Sequence, residues 1–594
     1  LCGRVFWSQE QIIKRLGFLD TGTGTPLKVS NFGLHHLTSV CHANEIIKNS
    51  APWKFSQVTG QIMYNGFGGH LFCEAVDHPI AYKLPTFQEE ERFIMTNCYH
   101  NSFAGLMNRY LKDDDSPPLY DQSLVEAILD EFVTLLRPHL GEFPTLSEFL
   151  SEKKGKLGNR YRKACKDVLE FGYDPYKHSR IGAFIKNELY SEDKTPRMIM
   201  GRDPRFNLLY GCFTSWLEHA MVKLPEFAKG KNFDERGKQF IDLFGDVSVF
   251  DILEGDFSKY ESTQKARLLM QVEIGIFRRL LTEMLALFEK IFWTKMHKHG
   301  YTAHGLLFYF MFCRGSGDMD TGLFNSILSW VACRYFEIVN KTYTRKFEVD
   351  GDDNGIAWPK ERPSDWVDTF KLLGFDSKII RRKNRYEYNF CSGKFLEIDR
   401  CGSIKYIQDV RKLLMNNSIV RVRGMLQDKL GAYYYALGVM YQRLYRGSKL
   451  FFAYGEFLKR PYEKLYGGKY VNVDLVFQKL VSQDIYKVFS ELQGDTMVHE
   501  IDDDVFSCEM SLAFDMPFKE QYNLIEYFNE TLIDIPVELN KPFKNRSTPS
   551  TNLWVMDRLD LVYDICVGGY NMYTVDQIIG WHDNIRKVEW LLSK

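Results

Sequence analysis

Two kinds of hydrophobic pattern run along the chain, and they are not evenly distributed. In "DQSLVEAILDEFVTLLRPHL" (121–140) apolar residues recur at helical spacing, and Pro138 closes the run; this predicts a helix. "RYRKACKDVLEF" (160–171) reads as a basic helix. "IGAFIKNELY" (181–190) and "PRMIMGRDPRF" (196–206) contain extended stretches. From 250 to 402 strand-like and helical runs alternate. Beyond 403 the pattern is mostly helical and rich in aromatics, as in "AYYYALGVMYQRLY". Residues 1–145 mix short strand-like runs with glycine-rich turns such as "NGFGGH" before their helix. The predicted class is α+β with a helical C-terminal third, and no internal repeat or low-complexity linker breaks it.

At 594 residues the chain is too long for one hydrophobic core, so several subdomains are expected. Its 45% hydrophobic content suits a globular protein. The net charge of −1 carries no information about partners, but the distribution does. Residues 151–205 hold 14 Lys/Arg against 8 Asp/Glu, and residues 375–424 hold 12 against 5. Residues 491–540 reverse this, with 1 against 13. Two basic segments in a neutral chain suggest a polyanion path, against ordinary solvated faces as the plainer reading. The acidic stretch suits solvent, a basic partner or a removable plug over a basic surface. The 12 cysteines include no C-x-x-C pair, which argues against a zinc ribbon or disulfide framework and fits a reducing compartment. "LLFYFMFC" (306–313) is far too short to span a membrane. The sequence opens on Leu1 without a signal-peptide pattern, as expected of a processed, extended or partial product.

The chemistry gathers around "KFEVDGDDNGIAW" (346–358). Two strand-like runs flank a turn that carries adjacent carboxylates, Asp352 and Asp353. Such neighbours repel unless a cation lies between them. Alone, Gly-Asp-Asp is weak and reads more readily as a tight hairpin. A second apolar run, "VSVFDILEGDFSKYE", leads to Asp256 and could supply the opposing carboxylate for Mg²⁺, which takes hard oxygen ligands. In "RGSGDMDTGLFNSILSW", a helix starting near Gly317 would put Thr321 and Asn325, four apart, on one face. Both can hydrogen-bond a sugar hydroxyl, and Gly317 permits close ligand approach.

Taken in order, these elements resemble the viral RNA-dependent RNA polymerases of positive-strand RNA viruses. Motif A reads Asp256-FSKY-Glu261. Motif B (S-G-x-x-x-T-x-x-x-N) is matched from Ser316 to Asn325, and motif C is Gly351-Asp352-Asp353. "FIKNELYSEDKTPRMIMGRDPRFN" resembles motif F of the tombusvirus-like group, "KKGKLGNRYRKA" its motif G, "LLGFDSKII" motif D and "YNFCSGKFLEI" motif E. The likeness covers about 150–402, is thin before that and is essentially absent after 430. The second acid of motif A is usually Asp. Glu261 reaches one methylene further, so either the site is re-spaced or sugar discrimination leans more on Ser316, Thr321 and Asn325.

The resemblance implies a right-hand polymerase. Residues 1–145 would be an N-terminal extension and fingertips, 146–250 fingers, 251–402 palm with an inserted fingers segment, and 403–594 thumb and C-terminal region. Asp256, Asp352 and Asp353 would hold two Mg²⁺ ions, with Mn²⁺ a substitute. Lys186, Lys194 and Arg197 would meet the nucleotide triphosphate, with Glu261, Ser316, Thr321 and Asn325 around its sugar. Arg202 is a further phosphate candidate or a solvated surface residue. Lys378 would be the general acid, with Lys383 the alternative. Arg160, Arg205, Gly317, Cys391 and Ser392 would touch RNA, although Cys391 also reads as a small buried residue. The implied partners are template and nascent RNA, NTPs and another viral protein for membrane recruitment. The implied location is the host cytoplasm at membrane-associated replication sites. A reverse transcriptase or an RNA-binding scaffold with a decayed site are the competing classes. The motif B element argues against the first, and the intact aspartates argue against the second. No P-loop motif occurs in the chain.

Overall fold

The structure, a computed structural model, describes residues 119–531 apart from short internal stretches, together with strands and one helix between residues 34 and 110. At its centre is a four-stranded antiparallel sheet in the order Phe347–Asp350, Asp353–Pro359, Phe250–Phe257, Ser377–Arg382. The first two strands are the hairpin expected from the sequence. Asp350 pairs with Asp353, so Gly351 and Asp352 form a two-residue turn. Gly351 has φ +67°, the left-handed conformation that a type II′ turn requires at its first position.

Both faces of this sheet are covered, which explains why its strands read as continuous apolar runs. Leu253, Ile356 and Trp358 join the main core with helices Gln122–Leu136, Pro204–Met221 and Thr321–Val339. Ile252 and Ala357, one residue out of phase, face a second core built from Phe240, Tyr388, Phe390 and Phe395. Two acidic residues of the strand Phe250–Phe257 are matched by the neighbouring strand: Asp251 pairs with Arg381 at 2.7 Å and Glu254 with Arg382 at 2.8 Å. Helix Gln122–Leu136 ends as its pattern predicts, with Asp121 capping its start and Pro138 inside the turn that follows.

A five-stranded sheet runs Gly60–Tyr64, Leu306–Met311, His297–Thr302, Ile181–Ile185, Met198–Arg202. The extended stretches read around 181–206 are its last two strands. Strand Ile80–Lys83 pairs antiparallel with both Leu34–His36 and Ile419–Arg421, tying the N-terminal region to the start of the helical third.

The helical third has its own core. Helices Gln427–Leu444, Lys449–Tyr466, Asp503–Phe514 and Phe518–Glu530 bury Leu437, Phe451, Phe457, Phe506, Met510 and Phe528 together. The described part of the acidic stretch is therefore core-forming rather than a detachable plug, and its charges meet a basic partner in the same chain. Glu509 pairs with Arg385, Asp502 with Arg400, Glu520 with Arg411 and Asp503 with Lys449. Among the described residues no helix is long and apolar enough to cross a membrane.

Candidate active site

Three separate segments meet at the hairpin tip, and side-chain hydroxyls join them. Helix Thr321–Val339 runs beneath the tip. Its Ser326 hydroxyl accepts the Gly351 N–H at 2.9 Å, and its Ser329 hydroxyl donates to the Gly351 carbonyl. Tyr260, buried just after the central strand, donates to the Asn325 carbonyl at 3.1 Å and lies 3.1 Å from the Ser329 hydroxyl. Both backbone polar groups of Gly351 are thus satisfied by the helix, and the turn cannot shift without breaking them. Tyr260, Ser326 and Ser329 were missed in the sequence. The available signal was small polar residues on the buried face of an apolar helix.

Asp256 lies near the end of its strand and is exposed, with Lys378 as its cross-strand partner. Directly opposed residues project to one face, so Lys378 shares the Asp256 side of the sheet. Lys383, the alternative, is exposed in the loop beyond. Asp352 opens to solvent at the tip, with protein around its other sides. Burial pushes its pKa up, Glu261 and Asp256 push the same way, and Arg197 opposes them. Asp353 is raised to about 7, first by burial and then by Asp352. The Cys391 backbone hydrogen-bonds its carboxylate and pulls in the other direction. Asp350, the next acid in the hairpin, is held by Arg236 at 2.7 Å.

Cys391 and Ser392 form a turn in which both residues have positive φ, +49° and +59°, with Phe390 and Gly393 exchanging backbone hydrogen bonds across it. Asn-Gly is the usual occupant of such a turn, and strain of this kind gathers at functional positions. Ser392 is exposed and accepts from Lys412 at 2.8 Å. Cys391 is half-buried: it packs against the core of Tyr388, Phe390 and Phe395, as its reading as a small buried residue has it, and it also faces Asp353 and Arg236.

A narrow cleft beside Asp352 is lined by Glu261, Ser316, Arg197, Arg109, Tyr110 and Lys259. Three of these had been singled out. Arg109 and Tyr110 come from helix Tyr99–Tyr110, in the region where the resemblance is thin. Arg109 donates to the Pro196 carbonyl at 3.1 Å and the Thr195 carbonyl at 3.3 Å, and the Ser316 N–H donates to the Tyr110 hydroxyl at 3.4 Å. Gly317 has φ +93°, and a Cβ there would meet Ile199 at 2.9 Å. The helix begins at Thr321 rather than near Gly317. Thr321 turns its hydroxyl to the Gly315 carbonyl at 2.7 Å, closing the loop ahead of it. Asn325 is buried and accepts from Gln264 at 2.8 Å.

The basic candidates divide. Arg197 is exposed at the cleft, 3.6 Å from Glu188, which also binds Lys186 at 2.8 Å. Lys194 lies outside the described residues. Arg160 is exposed on helix Gly155–Phe171. Arg205 is engaged by Asp203 through two hydrogen bonds of 2.7 and 3.0 Å. Arg202 is neither a phosphate ligand nor a surface residue. It is buried, paired with Asp318 at 2.6 Å and bonded to the Ser179 and Lys295 carbonyls. Among the described residues no three His, Cys, Asp or Glu side chains converge into a ready-made metal cage.

The sequence model of the family described as RNA dependent RNA polymerase matches residues 142–428. The family expected from the motifs is the one found over this segment. Similar proteins carry the same description. The RNA-directed RNA polymerase of Groundnut rosette virus (strain MC1) is 27% identical over 258 residues, 40% of this chain and 30% of that protein. That of Maize chlorotic mottle virus is 25% identical over 288 residues, 45% of this chain and 29% of the relative. That of Cucumber necrosis virus is 28% identical over 192 residues, 30% and 23% respectively. The chain spans less than a third of the length of these three relatives. The matched segment encloses every catalytic candidate and ends where the helical third begins.

Proposed function

We propose that this chain is the catalytic part of a template-directed viral RNA polymerase, transferring nucleotides from NTPs to an RNA 3′-hydroxyl. The observation that carries the reading is the hydrogen-bonded unit of Tyr260, Ser326, Ser329 and Gly351. It locks the segments bearing Asp256, Asn325 and Asp352 into one rigid base, as positioned phosphoryl chemistry requires. In this reading the central sheet is the palm, the sheet holding Met198–Arg202 belongs to the fingers, and the helical third is the thumb.

Two Mg²⁺ ions, or Mn²⁺, would be held by Asp256 and Asp352 with Asp353 assisting. The fit rests on adjacent carboxylates held in a partly buried setting: Asp352 and Asp353 are both raised, first by burial and then by neighbouring carboxylates, and a divalent cation would offset both effects. Mg²⁺ needs only one or two carboxylates when substrate phosphates complete its shell, so a preformed cage is not required. Bound there, the ions would activate the attacking hydroxyl and stabilise the leaving pyrophosphate. The chain's own residues orient the reactants. Arg197, with Arg109 beside it, faces the triphosphate across the cleft from Glu261. Lys378, on the Asp256 face of the sheet, would give a proton to pyrophosphate. The Cys391–Ser392 turn, bound to Asp353, meets the growing RNA end.

Template and nascent RNA and NTPs are the proposed partners. A second viral protein would recruit the enzyme to membrane-associated replication sites in the host cytoplasm.

The test is incorporation on a short RNA template with Mg²⁺ or Mn²⁺, using NTPs and dNTPs in parallel, beside Asp352→Ala. Template-dependent NTP incorporation that the substitution abolishes supports the polymerase. Preference for dNTPs would move the reading to reverse transcription. RNA binding without synthesis by the folded chain would favour a scaffold.

A further inference from the structure

Behind Asn325 runs a line of hydrogen bonds with only one consistent direction. The Arg314 Nε donates to Gln264 Oε1 at 3.0 Å, and Gln264 Nε2 donates to Asn325 Oδ1 at 2.8 Å. All three residues are buried, at 1, 2 and 6% exposure. Amide groups can ordinarily be turned end for end, but a guanidinium only donates. Arg314 therefore forces the oxygen of Gln264 toward itself and the NH₂ of Gln264 toward Asn325. That in turn forces the oxygen of Asn325 inward and leaves its Nδ2 donor as the amide's other edge.

Arg314 cannot relax this order. Its other nitrogens are held by Asp320 at 2.7 Å and Glu273 at 2.6 Å. Lys295 binds both of those carboxylates, and Tyr210 donates to Asp320 at 2.6 Å. Burial works against the charge of Arg314, and Glu273 and Asp320 outweigh it, so the group stays protonated. The Asn325 backbone is also tied to the residue preceding Glu261, because the Tyr260 hydroxyl donates to its carbonyl.

On the polymerase reading, we infer that Gln264, set by Arg314, is the residue that fixes Asn325 as a donor and thereby sets the preference for ribose over deoxyribose. A 2′-hydroxyl both donates and accepts. Asn325 Nδ2 supplies the proton for its oxygen, and the Glu261 carboxylate takes its hydrogen. A deoxyribose leaves the buried Asn325 amide and the half-buried Glu261 carboxylate without that partner, which is how a site built to hydrogen-bond a hydroxyl rejects the analogue lacking it. Gln264 is a positioning residue, since it touches Asn325 and not the substrate.

Gln264→Glu isolates the effect. A carboxylate still accepts from Arg314 but cannot donate, so Asn325 must turn over and present its oxygen. The measurement is kcat/KM for an NTP and for its 2′-deoxy analogue on one template. The NTP-to-dNTP ratio is expected to fall about tenfold or more, one hydrogen bond's worth, through the KM for NTP. The dNTP value should change far less. Gln264→Leu, which leaves Asn325 unoriented, should give a smaller drop and guards against misfolding of the charged variant. Equal losses for both nucleotides, or an unchanged ratio in both variants, would overturn the relay while leaving the polymerase standing. A wild-type chain that incorporates no NTP would overturn the polymerase and this inference with it.

Discussion

Asp353 begins its strand immediately after a turn aspartate, and the fold holds it where its charge is least welcome. Its carboxyl is raised from 3.8 to about 7 by burial and by Asp352. The native chain therefore keeps a proton between about pH 4 and 7 that the unfolded chain has released, and stability falls as pH rises through that window. Asp353→Asn should raise the melting temperature at pH 8 and leave it nearly unchanged at pH 4. Solvent access to this half-buried group leaves about 1–2 kcal/mol of the effect. A larger gain at acid pH would contradict this burial account. Protons and cations compete for the same oxygens, which yields a second expectation. The acid limb of the pH–rate profile should move to lower pH as Mg²⁺ is raised, read from initial rates at two metal concentrations. A limb that ignores Mg²⁺ would assign it to some other group.

Among the elements, the hairpin and the helix beneath it were the most legible, because their signals are local. Gly351 marks a turn that needs positive φ, and the spacing from Ser316 to Asn325 lies within one loop and one helical turn. What spacing does not carry is contact across the chain. Tyr260 reaches Ser329 and Gln264 reaches Asn325 over more than sixty residues, and Arg236 finds Asp350 over 114. Charge counts omit contacts for the same reason. Arg381, Arg382 and Arg385 count toward the basic excess of residues 375–424, yet each is taken by an acid on a neighbouring element. Lys295 and Lys298 in "TKMHKHG" look like surface residues and are buried against Glu273, Asp320 and Asp318. Arg385 offers a test of this internal role. It binds both oxygens of Glu509, itself buried and hydrogen-bonded by the Tyr386 hydroxyl and the Glu397 N–H. Removing one partner strands the other, so Arg385→Ala should cost about 3 kcal/mol in urea unfolding. RNA affinity at low temperature should stay within twofold. A large loss of RNA binding with stability intact would restore Arg385 to the RNA path.

For the molecule as a whole, near-zero net charge arises from opposite segments packed against each other. The acidic residues of 502–520 meet basic residues drawn from 385–449, and those pairs clamp two C-terminal helices onto the core of the helical third. The apolar side of those helices is the stronger bond. Phe506, Met510, Met516, Leu524 and Phe528 are buried, and each fully buried large side chain is worth about 1.5–3 kcal/mol. Deleting 491–540 should therefore destroy the cooperative unfolding of the helical third rather than open a channel. The readout is protease sensitivity of helix Gln427–Leu444, together with RNA affinity. Rapid cleavage there, with RNA binding lost or unchanged, is the expected result. A deletion variant that keeps that helix protected and binds RNA more tightly would show that the acidic segment is a plug after all. High salt separates the two contributions: it screens the exposed pair between Arg400 and Asp502 but leaves the buried aromatic face. The full-length helical third should thus melt only slightly earlier at 1 M salt, while the deletion variant shows no such transition at any salt.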